Sequence, residues 1–146
     1  MNRYKLIIVG ECPGKQELKV GQYFVGPSGK LLFKSLKELG IKREDCLITN
    51  VFPYEATKKN KLLNSINIKN RRPYLLGEIC KWAPTPILCL GRTAAECLLQ
   101  KEFELGTKDK CIMQDVYAFW HPAYVLRGGM SYSKFTNNLK KRLGNL

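Results

Sequence analysis

The sequence predicts an α/β domain in three layers, with a mostly parallel sheet held between helices on both faces. Three observations predict it. Short apolar, β-branched runs alternate with stretches of helical periodicity along all 146 residues, and strands separated by helices pair in parallel. Residues 86–90 are apolar throughout, as in a strand covered on both faces. Hydrophobic residues make up 45% and charged residues 25%, an ordinary balance for one globular domain that buries roughly two-thirds of its unfolded surface.

Residues 5–9, ending at Gly10, read as the first strand. The segment 10–26 is punctuated by Pro13, Gly14, Gly21 and Gly26 and reads as a loop. Loops beyond about 12–15 residues inside compact domains often carry function. Leu32, Leu36 and Leu39 recur at helical spacing, with Ser28 as a cap and Gly40 as a stop, so 28–39 reads as an amphipathic helix. Residues 46–51 form a second strand run, and a basic loop over 57–72 follows it. Pro73 suits the first turn of a helix that turns Leu75, Leu76, Ile79 and Trp82 inward and ends before Pro84. The third strand, 86–90, passes through Gly91 into a helix over 93–99. Residues 111–113 and 116–120 are strand-like, Gly128 and Gly129 break the chain, and Phe135, Leu139 and Leu143 stripe a final basic helix over 133–143. Three polar segments fall at the carboxyl ends of strands, Gly10-Glu11, Thr49-Asn50 and His121-Pro122, where open α/β sheets bind ligands.

Lys and Arg number 25 against 12 Asp and Glu, a net charge of +13. A surplus of that size costs self-repulsion and suits a polyanionic partner. It is also concentrated. No acid stands between Ala56 and Gly77, where Lys58, Lys59, Lys61, Lys69, Arg71 and Arg72 lie, and Lys134, Lys140, Lys141 and Arg142 close the chain. Nucleic acid is favoured over a membrane, because no long basic helix carries a bulky apolar face and no apolar run nears the about 20 residues of a span. The first hydrophobic run is too short for a secretion signal, so the chain reads as cytoplasmic or nuclear. The six cysteines, at 12, 46, 80, 89, 97 and 111, include no Cys-x-x-Cys pair. Cys46, Cys89 and Cys111 sit in strand runs, so most of the set reads as core thiols with no metal held.

The strand-end segments belong to a longer set: Gly10-Glu11-Cys12-Pro13-Gly14 with Glu17; Gly21 to Leu32; Thr49-Asn50; Leu90-Gly91 to Ala94; and His121-Pro122-Ala123-Tyr124-Val125-Leu126-Arg127. In this order and spacing they resemble the uracil-DNA glycosylase superfamily, most closely its bacterial and archaeal family 4, over nearly the whole chain. The resemblance implies a single domain over 1–146 built on a central, mostly parallel four-stranded sheet. It implies a monomeric enzyme that flips uracil out of single- or double-stranded DNA and hydrolyses its N-glycosidic bond, leaving an abasic site in base excision repair.

The residue types suit that chemistry. By the resemblance Phe24 is a platform for the flipped base, and Gly10, Cys12, Pro13 and Gly14 form the turn around it. Asn50 reads the base edge, since one carboxamide accepts from a pyrimidine N3–H and donates to O4, whereas cytosine inverts the pattern. His121 donates to uracil O2 as negative charge grows there. Glu11 and Glu17 are the carboxylates available to orient water or to stabilise the cationic sugar, the division between them being open. Leu126 wedges into the duplex and Arg127 anchors a phosphate, while Lys58, Lys59, Lys61, Arg71 and Arg72 supply further DNA contacts.

The chain departs from the family in several places. Family 4 proteins typically hold an iron–sulfur cluster on four cysteines, but no Cys-x-x-Cys pair precedes Gly10, and Arg71 stands where another cysteine belongs. The expectation is an enzyme with no cluster and no cofactor. Cys12 replaces the usual Ala of family 4 and the Asp of family 1, and Gly14 replaces the Tyr with which family 1 excludes the thymine methyl. Two other readings therefore stay open, a glycosylase for a different modified pyrimidine and a noncatalytic DNA-binding or replication-accessory module.

Overall fold

The computed structural model describes residues 3–54, 65–100, 102–111 and 113–146. In chain order the elements are β1 (Leu6–Gly10), α1 (Lys15–Val20), α2 (Pro27–Glu38), β2 (Cys46–Asn50), α3 (Ser65–Ile79), β3 (Ile87–Leu90), α4 (Arg92–Leu99), β4 (Thr107–Cys111), β5 (Gln114–Phe119), α5 (Pro122–Leu126) and α6 (Tyr132–Leu143). The strands form one sheet in the order β2-β1-β3-β5-β4. Four run parallel, with Gly10 opposite Asn50 and Leu90 opposite Phe119, and β4 pairs antiparallel to β5.

Alternation along the strands builds two cores. Ile7, Val9, Ile87, Cys89, Val116 and Ala118 face α3 and α4, while Leu6, Ile8, Leu88, Leu90, Tyr117 and Phe119 face α2 and α6. The three-layer α/β/α architecture is thus present. From β1 the chain crosses to β2 on one side and then, through α3, to β3 on the other. The carboxyl ends of β1 and β3 therefore flank a topological switch point, the crevice where such sheets bind ligands.

Four expectations need correction. The sheet has five strands rather than four. The added edge strand β4 reads Thr-Lys-Asp-Lys-Cys, too polar to stand out as a strand; its exposed Lys108 and Lys110 guard an open edge against unwanted pairing. The long first loop contains α1, a six-residue helix that buries none of its side chains and so gives no periodic signal. The middle helix starts at Ser65, not at Pro73, which lies inside it. Last, α2 is capped by Gly26 with Pro27 in its first turn, two residues ahead of the expected cap Ser28.

Candidate active site

Gly10 is where the site begins. As in-register neighbours on parallel strands, Gly10 and Asn50 present the same side of the sheet. A Cβ on Gly10 would fall 2.4 Å from Asn50 Oδ1 and 2.6 Å from Phe24 Cζ, so only glycine lets those two groups close over the end of β1. Asn50 is buried, whereas Thr49 points the other way and donates from Oγ1 to Glu78 Oε2 at 2.8 Å. Phe24 and His121 face each other with ring centroids 6.1 Å apart and planes 30° from parallel. Between these groups lies a cleft of about 190 Å³, roughly six waters' worth and the scale of one pyrimidine ring, lined also by Cys12, Pro13, Gly14, Glu17, Ser28 and Gly29. A roomier hollow of about 530 Å³ beside α3 and α4 mixes Lys69 and Arg92 with Glu96 and Glu102 and includes none of these groups.

His121 is set by its own helix. It is the N-cap of α5, and its Nδ1 accepts the Ala123 N–H at 3.0 Å. That bond places the ring proton on Nε2, leaving Nε2–H free to donate. Burial depresses its pKa below the usual 6.5; Glu11 pulls the other way and Arg127 adds to the depression. A neutral imidazole with a defined tautomer is the result.

The two carboxylates separate by environment. Glu11 is half-buried, and its Oε2 accepts the Thr93 hydroxyl at 2.6 Å from the second position of α4. This puts its charge near the positive end of that helix and within electrostatic reach of His121. Glu17 is occupied differently, its Oε2 accepting the N–H groups of Val25 at 2.8 Å and Gly26 at 2.7 Å. Burial alone would raise its pKa, but these amides hold it below the ordinary value. One oxygen of Glu17 is therefore engaged in building the cleft wall, as one oxygen of Glu11 is engaged by Thr93. The second oxygen of Glu17 accounts for Gly14, where a Cβ would lie 2.9 Å from Glu17 Oε1.

The positions assigned to DNA divide in the same way. Leu126, at the end of α5, is 51% exposed, while Val125 packs against the core beneath it. Arg127 is exposed beside it. Lys58, Lys59 and Lys61 lie outside the described residues. Arg71 and Arg72, read from their charge as DNA contacts, are half-buried and bond the backbone. Arg71 Nε donates to Val51 O at 2.8 Å and its guanidinium covers the Tyr74 ring. Arg72 donates from Nε and Nη2 to Leu98 O at 3.4 and 3.2 Å, with Nη2 3.7 Å from Cys111 Sγ. Carbonyl acceptors at the free ends of secondary structure have drawn in these donors.

The residues present do not fit a cysteine-held cluster. Arg71 occupies the expected ligand position with its Nε bonded to the backbone. Among the described residues no three His, Cys, Asp or Glu side chains converge on a metal-sized point. Burial pushes the thiol of Cys97 up to about 11 and that of Cys46 to about 12, the behaviour of inert core thiols. No disulfide links the six cysteines.

Thr93 and Arg43, which bond Glu11 and the backbone of Tyr23 and Phe24, are residues that sequence reasoning passed over. The one signal for Thr93 is its place just after the glycine that ends β3, where a hydroxyl on the first turn of a helix faces neighbouring strand ends. Nothing in the sequence around Arg43, on a surface 3₁₀ turn, marks it.

Comparisons with known proteins agree with this geometry. The chain is 32% identical over 151 residues to a type-4 uracil-DNA glycosylase of Pyrobaculum aerophilum, covering 95% of this chain and 76% of that protein. It is 32% identical over 149 residues to one of Archaeoglobus fulgidus, covering 94% and 74%, and 33% identical over 129 residues to one of Thermotoga maritima, covering 84% and 67%. The sequence profile of the uracil DNA glycosylase superfamily matches residues 2–143, and the chain belongs to that superfamily.

Proposed function

We propose that the chain is a monofunctional uracil-DNA glycosylase, active as a monomeric single domain, that hydrolyses the bond between N1 of an extruded uracil and C1′ of its deoxyribose and leaves an abasic site for base excision repair. One observation carries the reading: Gly10, Phe24, Asn50 and His121, from distant stretches of chain, meet around a single slot at the switch point of the sheet. Among the described residues no helix is long and apolar enough to cross a membrane, and the +13 charge suits DNA.

In this reading the uracil ring lies against Phe24 with its N3–H and O4 edge on the Asn50 carboxamide. As the N1–C1′ bond breaks, its electron pair passes into the ring and towards O2, where His121 Nε2–H donates. The sugar becomes cationic. The negative charge of Glu11 offsets it, and the carboxylate takes a proton from the water whose oxygen bonds C1′. No step requires a metal ion.

Thr93 fixes the rotamer of Glu11, so Thr93→Val, which keeps size and removes the hydroxyl, should lower kcat. A hydrogen bond to a charged group is worth about 1.5–3 kcal/mol, roughly 10- to 100-fold, and KM should hardly change. Thr93→Ser should restore the rate. Equal losses in both variants would show that the hydroxyl is not what matters.

Leu126 is the exposed apolar group best placed to enter the gap left by the base. Unstacking costs a few kcal/mol, and an inserted side chain offsets part of it. Leu126→Ala should therefore lose about tenfold on duplex uracil substrate and little on single strands, where no stack is broken; an equal loss on both would remove the wedge.

The function itself is tested by incubating the protein with oligonucleotides carrying uracil, a thymine mismatch or 5-hydroxymethyluracil and measuring abasic product. Cleavage at uracil supports the proposal. Product from 5-hydroxymethyluracil alone would reassign the base, and tight binding with no product at high enzyme would make the chain a binding module.

A further inference from the structure

Phe24 adopts a backbone that bulky residues rarely take, with φ at 57° in the left-handed region. Such conformations persist where the surroundings impose them. Here the chain is gripped from both sides of the residue. The Arg43 guanidinium donates to the carbonyls that flank the Cα of Phe24, Nη2 to Tyr23 O before it and Nη1 to Phe24 O after it at 3.0 Å. After it, Glu17 Oε2 accepts the next two amides, Val25 and Gly26. Gly29 of α2 backs the same turn, because a Cβ there would lie 1.9 Å from Phe24 O. Arg43 is steadied in turn by stacking over Phe33 at 4.8 Å.

We infer that Arg43 is a positioning residue for base recognition, which, paired with Glu17, holds the left-handed turn that aims the Phe24 ring over Gly10. The inference rests on the glycosylase reading and adds to it a residue that touches neither the base nor the cleft. A guanidinium is suited to the task because its fork spans two carbonyls at once, whereas an ammonium acts as a single point. Without it the turn is free to relax towards an ordinary backbone, and the ring swings off the end of β1. The consequence is confined to the grip on the base. Attraction to the DNA backbone, which depends on surface lysines, stays nearly as it was.

The test compares affinity for two oligonucleotides of one sequence, one carrying 2′-fluoro-deoxyuridine as an uncleavable uracil nucleotide and one without uracil. The unaltered protein should prefer the first. Arg43→Ala should reduce that preference about tenfold, Arg43→Lys should fall between, and affinity for the uracil-free strand should change far less. In a Phe24→Ala background, Arg43→Ala should have almost no further effect on the preference, because the group it positions is gone. A purely structural role would predict additive losses and equal weakening on both strands. Arg43→Ala protein that keeps the full preference, or losses that add in the double variant, overturns the inference and leaves the glycosylase reading standing. If the unaltered protein shows no preference for the uracil strand, the glycosylase reading fails and the inference with it.

Discussion

Replacing His121 with alanine should lower the single-turnover rate of uracil release by about 10²–10³-fold, the usual cost of losing one prepositioned donor to a developing oxyanion. Affinity for uracil-bearing DNA should change only a few-fold, because the charge that the donor meets is small before the bond breaks. The pH profile follows from the same geometry. Nδ1 is committed to accepting the Ala123 amide, and burial, the larger influence, keeps the ring neutral below its ordinary 6.5. The rate set by His121 should be flat above that pH and fall only as acid reaches the depressed value, where protonated Nδ1 confronts the Ala123 N–H. The effect on stability has the same sign. The unfolded chain takes up the proton first, so this contribution is complete above 6.5 and is lost as pH falls through the folded-state value. A rate maximum that needs protonated imidazole, or His121→Ala protein retaining most of its rate, would remove the neutral donor.

Asn50→Asp should cost more on uracil, at least about 10³-fold, since sites built to pair a polar edge reject a mismatch by 10⁴–10⁵. The carboxylate still accepts from N3–H but faces O4 with an acceptor where the amide donated. Asn50 is buried, so water cannot take the place of the missing bond. Cytosine presents an N4 donor at that place and lacks the N3–H, so the ratio of cytosine to uracil release should rise even as the total falls. The measurement is single-turnover release from matched strands. An unchanged ratio would mean that base choice is made by cleft shape rather than by the carboxamide.

Much of this was legible in the chain because burial writes itself into composition. β1, β2, β3 and β5 are apolar runs, and the stripes of α2 and α6 recur at helical spacing. The elements that escaped lack that mark. α1 turns no side chain into a core, β4 is polar along an exposed edge, and the first half of α3 looks like loop because its basic residues outnumber its apolar ones. The cleft was foreseen through Gly10, Phe24, Asn50 and His121, each tied to the end of a strand or to a motif. Partnerships were harder to foresee. Glu11 and Glu17 look alike in sequence, and only the Thr93 hydroxyl beside one and the two amides beside the other distinguish their surroundings. The backbone bonds of Arg71 and Arg72 were not legible either, since a long side chain from a helix can fold back onto nearby carbonyl groups as easily as it can reach solvent.

Three residues around the cleft lie at strand ends, with Gly10 closing β1, Asn50 closing β2 and His121 two residues beyond β5. Their placement depends on the pairing of the sheet rather than on a loop of their own, so their share of discrimination should not decline gradually with heat. Warming should leave selectivity intact until the whole sheet melts, and turnover and near-ultraviolet circular dichroism should vanish together at one temperature.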